Sequence, residues 1–116
     1  MEFHTFVQYL DSLEGLVKKA CAHLDGDLDE EQIELYDLAF VQAELLAART
    51  LITQTEQSQH LVPVCQYFCA NAIVTITQKL AVRPQTFGLA QSELPALDGL
   101  QDFLAPEAIA ALGRRY

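Results

Sequence analysis

Apolar residues in the first part of the chain recur at steps of three and four positions, which is the spacing of one face of an α-helix. The first such stripe consists of Phe3, Phe6, Leu10, Leu13, Val17, Ala20 and Leu24. No segment shows the sustained alternation of apolar and polar residues that is typical of a β-strand. The pattern therefore predicts an all-α fold that begins with a long amphipathic helix.

A second helix is predicted from about residue 29 to about residue 55, where IELYDLAFVQAELLAARTLI is rich in strong helix formers. One apolar stripe of this helix consists of Ile33, Tyr36, Phe40, Ala43 and Ala47. Four leucines widen the stripe: Leu35, Leu38, Leu45 and Leu46. Because a small bundle cannot easily cover so much apolar surface, we predict that these leucines contribute to an interface.

Two charged residues, Glu44 and Arg49, interrupt this apolar surface, and a third, Asp37, lies near the beginning of the helix. They are either polar groups inside the bundle or groups at an exposed edge that form ion pairs with neighbouring helices. Charged side chains are rarely buried, so the exposed edge with interhelical ion pairs is the prediction.

A third helix follows the polar turn TQTEQSQH, and Pro63 suits its first turn because the missing N–H is not needed there. This helix is predicted to end near Arg83, since Pro84 disfavours helical geometry at the residue before it. Residues 83–116 are expected to form a weaker, loop-rich tail with one or two short helices. The 116 residues thus predict a single domain, an antiparallel bundle of three long helices.

Charge limits the classes of partner. Sixteen Asp and Glu residues against seven Lys and Arg give a net charge of -9 at pH 7, which repels nucleic acids and anionic membrane surfaces. The uncharged run between His60 and Lys79 carries Gln66, Asn71 and Gln78, whose polar groups would need partners inside a bilayer. We therefore expect neither nucleic acid nor a membrane as partner. Three cysteines and no charged-then-apolar leader favour a cytoplasmic protein.

The stretch DGDLDEEQIE resembles the beginning of an EF-hand calcium loop, because Asp25, Asp27 and Asp29 occupy alternate positions. The pattern fails at position 6, which is Glu30 and not the glycine of the sharp turn. It also fails at position 12, where Tyr36 replaces the bidentate glutamate.

The same stretch fits the beginning of a helix better. Asp29 is placed as the N-cap residue, with Gln32 three positions later as in a capping box. Glu30 and Glu31 complement the positive end of the helix dipole. We therefore predict a helix start here.

Cys65 and Cys69 lie four positions apart, so they share one face of the third helix and could form half of a metal site. Cys21 and His23 are possible further ligands from the first helix. Two interpretations stay open, of which packing as small apolar side chains is favoured over metal or redox chemistry. No Glu-x-x-His pair of the kind that builds di-iron centres is present, and we predict no cofactor.

Aromatic residues indicate a possible pocket between the second and third helices, lined by Phe40, Tyr67 and Phe68. Bundle cores also use such residues as filler, which is the favoured interpretation. No nucleophile–base motif and no Gly-rich phosphate loop is visible, so catalysis by this chain alone is not expected.

The second and third predicted helices resemble the C-terminal helical domain of acyl-CoA dehydrogenases over about residues 30–90. The matching residues in the second helix are Leu38, Ala39, Ala47, Ala48, Arg49, Leu51 and Ile52. VCQYFCANAIVTITQKL is similar to the following helix of that domain in length and in its small residues. The resemblance implies a four-helix bundle that, in that family, builds subunit contacts and helps to enclose flavin and acyl-CoA. The GGxGY turn and the catalytic-glutamate segment have no counterpart, so no cofactor or catalytic residue is carried over.

The leading hypothesis is a non-catalytic helical module, either a homo-oligomer or the support of a larger acyl-CoA dehydrogenase-like assembly. One alternative is a bundle that binds a small molecule or an acyl chain. The other is a metal or redox protein that uses its cysteines.

Overall fold

The computed structural model describes residues 3–24, 26–27 and 29–115, of which residue 115 is described by its backbone alone. Within these ranges the chain contains helices and turns and no strand. The helices are α1 (His4–His23), α2 (Gln32–Thr55), α3 (Val62–Val82), α4 (Gln101–Leu104) and α5 (Pro106–Arg115). The prediction of an all-α fold, with three long helices and one or two short C-terminal helices, is confirmed.

Helix α1 buries the apolar stripe that its spacing predicted. Its buried side chains are Phe6, Leu10, Leu13, Leu16, Val17 and Ala20. Phe3 is buried just before the helix, and Leu24 is half-buried just after it. Because the remaining positions of α1 are mostly polar, one face of this helix is in the core and the other is in water.

Helix α2 begins at Gln32, and the predicted capping box of Asp29 and Gln32 is wrong. Asp27 supplies the capping carboxylate in the turn before α2. Its Oδ1 accepts hydrogen bonds from the N–H groups of Asp29 (3.0 Å) and Glu30 (3.4 Å). A short side-chain acceptor therefore serves donors two and three residues ahead, as an N-cap does, but in the turn before α2.

A second carboxylate completes this turn. Oε1 of Glu31 accepts hydrogen bonds from the N–H groups of Gly26 (2.9 Å) and Asp27 (3.2 Å). Gly26 has φ 79°, a conformation that favours glycine and turns the chain toward α2. The backbone contacts of Asp27 are those of a helix start, while Asp25, the first position of the calcium pattern, lies outside the described residues.

Contacts at both ends of α1 and α2 show that the two helices run in opposite directions. Nη2 of Arg49, late in α2, lies 2.8 Å from Oδ1 of Asp11, early in α1. Nε2 of Gln42, earlier in α2, donates a hydrogen bond to Sγ of Cys21 near the end of α1 (3.7 Å).

Helix α3 runs opposite to α2 for the same kind of reason. Nζ of Lys79, near the end of α3, lies 3.6 Å from Oδ1 of Asp37 near the beginning of α2. Sγ of Cys69, nearer the middle of α3, lies 3.9 Å from the carbonyl oxygen of Ala48. The predicted interhelical ion pairs are thus present for Asp37 and Arg49.

The tail after α3 packs on the same core. Phe87, Leu89 and Leu100 are buried together with the apolar side chains of the three long helices. A polar contact also links the tail to α1, since the Tyr9 hydroxyl donates a hydrogen bond to the carbonyl oxygen of Ala96. Buried side chains at irregular spacing therefore hold the tail, although it contains only short helical segments.

Candidate interaction surface on the second helix

Helix α2 has two opposite faces with the same three-and-four spacing. The core face consists of Leu38, Val41, Leu45, Ala48, Ile52 and Thr55, which are all buried. The other side is exposed, and we call it the outer face: Ile33, Tyr36, Ala39, Phe40, Ala43, Leu46, Ala47, Thr50 and Gln54. The stripe from Ile33 to Ala47 lies entirely on this exposed side.

The four leucines predicted as an interface do not lie together. Leu38 and Leu45 are only 3% and 5% exposed, because α1 and α3 both pack against that side of α2, so their assignment to an interface is wrong. Leu35 is half-buried at the edge toward α1. Leu46 is 68% exposed and belongs to the outer face.

A surface helix usually carries its charged residues on the side exposed to water. Helix α2 has the opposite arrangement. All four of its charged residues are half-buried: Glu34, Asp37, Glu44 and Arg49. Arg49 pairs with Asp11 of α1, and Arg83, just after α3, lies 4.0 Å from Glu34. Every exposed residue of α2 is uncharged. A second protein surface can therefore cover the outer face without burying an exposed charged residue of α2.

Except for Leu46, which lies at the edge toward α1, the exposed side chains of the outer face are large at one end of the helix and small at the other. Tyr36 is 70% exposed, Ile33 59% and Phe40 36%. The second half carries Ala43 and Ala47 at the corresponding positions. Soluble monomers rarely expose contiguous apolar patches above a few hundred Å², so a patch of this kind is typical of an interaction site.

A groove with a volume of about 520 Å³ extends the outer face toward α3. Phe68 of α3 forms one wall, and the rest of the lining comes from α2: Ala43, Leu46, Ala47, Thr50, Leu51 and Gln54. The groove and the outer face share five residues, so they form one continuous, uncharged and largely apolar surface.

The three aromatic residues of the predicted pocket do not line one cavity. Phe68 lines the groove just described. Tyr67 lines a separate cavity of about 310 Å³ beside α5, together with Pro63 and Phe103. Phe40 lies on α2 with Nζ of Lys79 4.6 Å from the centre of its ring, a cation–π contact.

The cysteines are likewise not gathered into one site. Sγ of Cys65 and Sγ of Cys69 are 3.9 Å apart, and both side chains are fully buried. Burial, with Cys65 beside it, raises the pKa of the Cys69 thiol, which keeps it protonated. Cys21 is exposed on α1. Among the residues that the structure describes, no three His, Cys, Asp or Glu side chains form a group able to hold a metal ion.

In the part of the chain that the structure describes, one helical segment, Gln59–Val82, is long and apolar enough to cross a membrane by length and composition. The same test is passed by core helices of soluble proteins. In this fold 39% of the segment's most apolar window is buried, so the segment fits either environment.

Comparison of the chain with models of protein families, with curated proteins and with solved structures finds no match. The resemblance of residues 30–90 to the helical domain of acyl-CoA dehydrogenases therefore stays a prediction.

Proposed function

We propose that this chain is a helical interaction module that binds another polypeptide through the outer face of α2. The observation that carries the proposal is the exposed, uncharged and largely apolar surface of this helix in a chain with a net charge of -9. Surfaces exposed to water alone usually carry charges, whereas the centres of interfaces are depleted of them.

The groove beside Phe68 supports a protein partner over a small ligand. Small-molecule sites are enclosed cavities with a few polar groups that fix the orientation of the ligand. Here the lining is shared with a helix face that continues beyond the groove toward Tyr36 and Ile33. A helix from another polypeptide fits such a long, shallow surface, as in helix-in-groove recognition.

Cysteine accessibility tests the proposal without knowledge of the partner. In a background with Cys21→Ser, which removes the exposed native thiol, Ala47→Cys reports on the outer face of α2. Ser12→Cys, on the exposed side of α1, is the matched control. We expect a maleimide to label the Ser12 variant in intact cells while the Ala47 variant is protected there. Both should be labelled in the purified, diluted chain.

Equal labelling of the two variants in cells would show that the outer face is free in its native surroundings. The proposed interaction would then be wrong.

A further inference from the structure

Building on the proposed interaction, we infer that the partner is a second copy of this chain. Its α2 lies against the outer face of the first α2 in the antiparallel direction, about a twofold axis. Such an interface is isologous, so one surface has to be complementary to itself.

The order of large and small side chains on the outer face meets this requirement. Phe40 and Ala43 are equally far from the midpoint between Val41 and Gln42. Tyr36 and Ala47 share that midpoint, and so do Ile33 and Thr50. An antiparallel copy centred there places each of these three large side chains of one helix opposite the smaller member of its pair on the other.

Parallel pairing of the same two faces would be much poorer. It would set Tyr36 against Tyr36 and Ala47 against Ala47, which leaves crowding in one half of the contact and a gap in the other. Interfaces pack as densely as protein interiors, so the antiparallel register is strongly favoured. The alternating steps of three and four also suit two helices that cross at a small angle.

Charges at the edge of the outer face support the same register. Glu44 lies about two turns after Asp37, so both are on the edge that faces α3. Asp37 already pairs with Lys79, whereas Glu44 forms no ion pair with any residue that the structure describes. Lys79 lies over Phe40 on this same edge.

The twofold axis of this arrangement lies in the interface and is perpendicular to the two α2 helices. It keeps the α3 edges of both copies on the same side. Phe40 then faces Ala43 of the second copy, and Lys79 comes beside Glu44 of the second copy. The symmetry creates this contact twice. Two cross-copy ion pairs thus form at the rim, where they favour this register over others.

The size of the surface sets the expected strength. The four large apolar side chains of the outer face expose roughly 400 Å² of surface per copy, as judged from their exposed fractions and typical areas for such residues. They are Ile33, Tyr36, Phe40 and Leu46. The alanines, Thr50, Gln54 and the Phe68 wall add to this area. A standard stable interface buries about 800 Å² per partner, so we expect a specific dimer at the weak end, which dissociates on dilution in about the micromolar range.

Light scattering coupled to size exclusion, over a range of concentrations, is the first experiment. The wild-type chain is expected to have a mass of 12.9 kDa when dilute and twice that value when concentrated. Ala43→Glu places a charge near the twofold axis of the dry contact and should give a monomer at every concentration. Ala22→Glu, the same change at an exposed alanine of α1, should dimerise like the wild type.

A second experiment tests the direction of the helices by disulfide formation in the Cys21→Ser background. Ile33→Cys and Thr50→Cys combined in one chain should give a covalent dimer, because the two thiols face each other across the interface. Either substitution alone should form no covalent dimer, since equivalent positions are then about 25 Å apart along the helices, far beyond the reach of a disulfide. Covalent dimers of the single variants would show parallel pairing and overturn the inference.

A wild-type chain that stays monomeric at all concentrations would also overturn the second copy as partner. So would a dimer that persists with Ala43→Glu. The proposed interaction itself is judged separately, by protection of the Ala47 variant in cells, so the two failures are distinguishable.

Discussion

Helices α1 and α2 both bury one stripe against α3, yet their outer sides differ. Six large apolar side chains are exposed in the described part of the chain; four of them lie on α2 and none on α1. The exposed side of α1 carries charges such as Asp11 and Lys19, both of which pair within the chain. The exposed side of α2 carries no charge. Two helices with similar roles in the core thus have different surfaces, and only one of them has the character of an interface.

The largest effect should separate the two faces of α2 through adjacent leucines. Leu45→Ala removes a side chain that is 5% exposed and should lower the free energy of unfolding by about 2–5 kcal/mol, because it leaves a cavity in the core. Leu46→Ala, at a position that is 68% exposed, should change this free energy by no more than about 0.5 kcal/mol.

Urea denaturation of diluted protein measures both values, since dilution removes any contribution from association. Equal destabilisation by the two substitutions would mean that α2 is rotated relative to the arrangement described here. Loss of association with Leu46→Ala, without loss of stability, would place this leucine in the interface.

The burial of these leucines could not be predicted from the spacing alone. Both stripes of α2 follow steps of three and four, so each is compatible with a core face. The residues that follow in each stripe could have distinguished the two. The outer stripe continues with Thr50 and Gln54, which are polar, whereas the core stripe continues with Ala48 and Ile52, which are apolar. On α1 only one stripe is apolar, and the prediction was correct.

The cap before α2 and the packing of the C-terminal tail also could not be predicted from the apolar spacing. Asp27 and Asp29 are equally good capping residues in sequence, and the turn at Gly26 decides in favour of Asp27. Phe87 and Leu100 are buried outside any periodic segment, so their burial depends on tertiary packing that the local sequence pattern does not show. The three cysteines were predicted as packing residues or ligands, and their separation depends on contacts between helices.

A smaller effect should distinguish the tyrosines of the two helices. Tyr9→Phe removes the hydroxyl that donates to the carbonyl of Ala96, and we expect a loss of about 1 kcal/mol in the free energy of unfolding. Tyr36→Phe removes a hydroxyl with no hydrogen bond to any described residue and should leave this free energy unchanged within about 0.5 kcal/mol. Thermal and urea unfolding of both variants provide the measurement. Equal losses would contradict the assignment of Tyr9 as a link between α1 and the tail.

The smallest effect concerns the charges on the outer side of α1. Nζ of Lys19 lies 2.7 Å from Oε2 of Glu93, and the N–H of Ala90 donates to Oε1 of the same carboxylate. The hydrogen bond from Lys19, followed by that from Ala90, lowers the pKa of Glu93. Because the folded state favours the ionised form, the contribution to stability is present above the pKa of the unfolded carboxyl and is lost as the pH falls through the folded pKa. An NMR titration should place the Glu93 midpoint below that of an ordinary glutamate.

Lys19→Gln should raise this midpoint while the Ala90 hydrogen bond keeps it from rising fully. Lys18→Gln, at the adjacent exposed position, should leave it unchanged. An ordinary midpoint in the wild type would show that the pair is open in solution. A lowered midpoint would show that charges on α1 act within the chain, to hold the tail. On α2, Arg49 pairs with Asp11 of α1 and Asp37 pairs with Lys79 of α3, and the exposed outer face carries no charge.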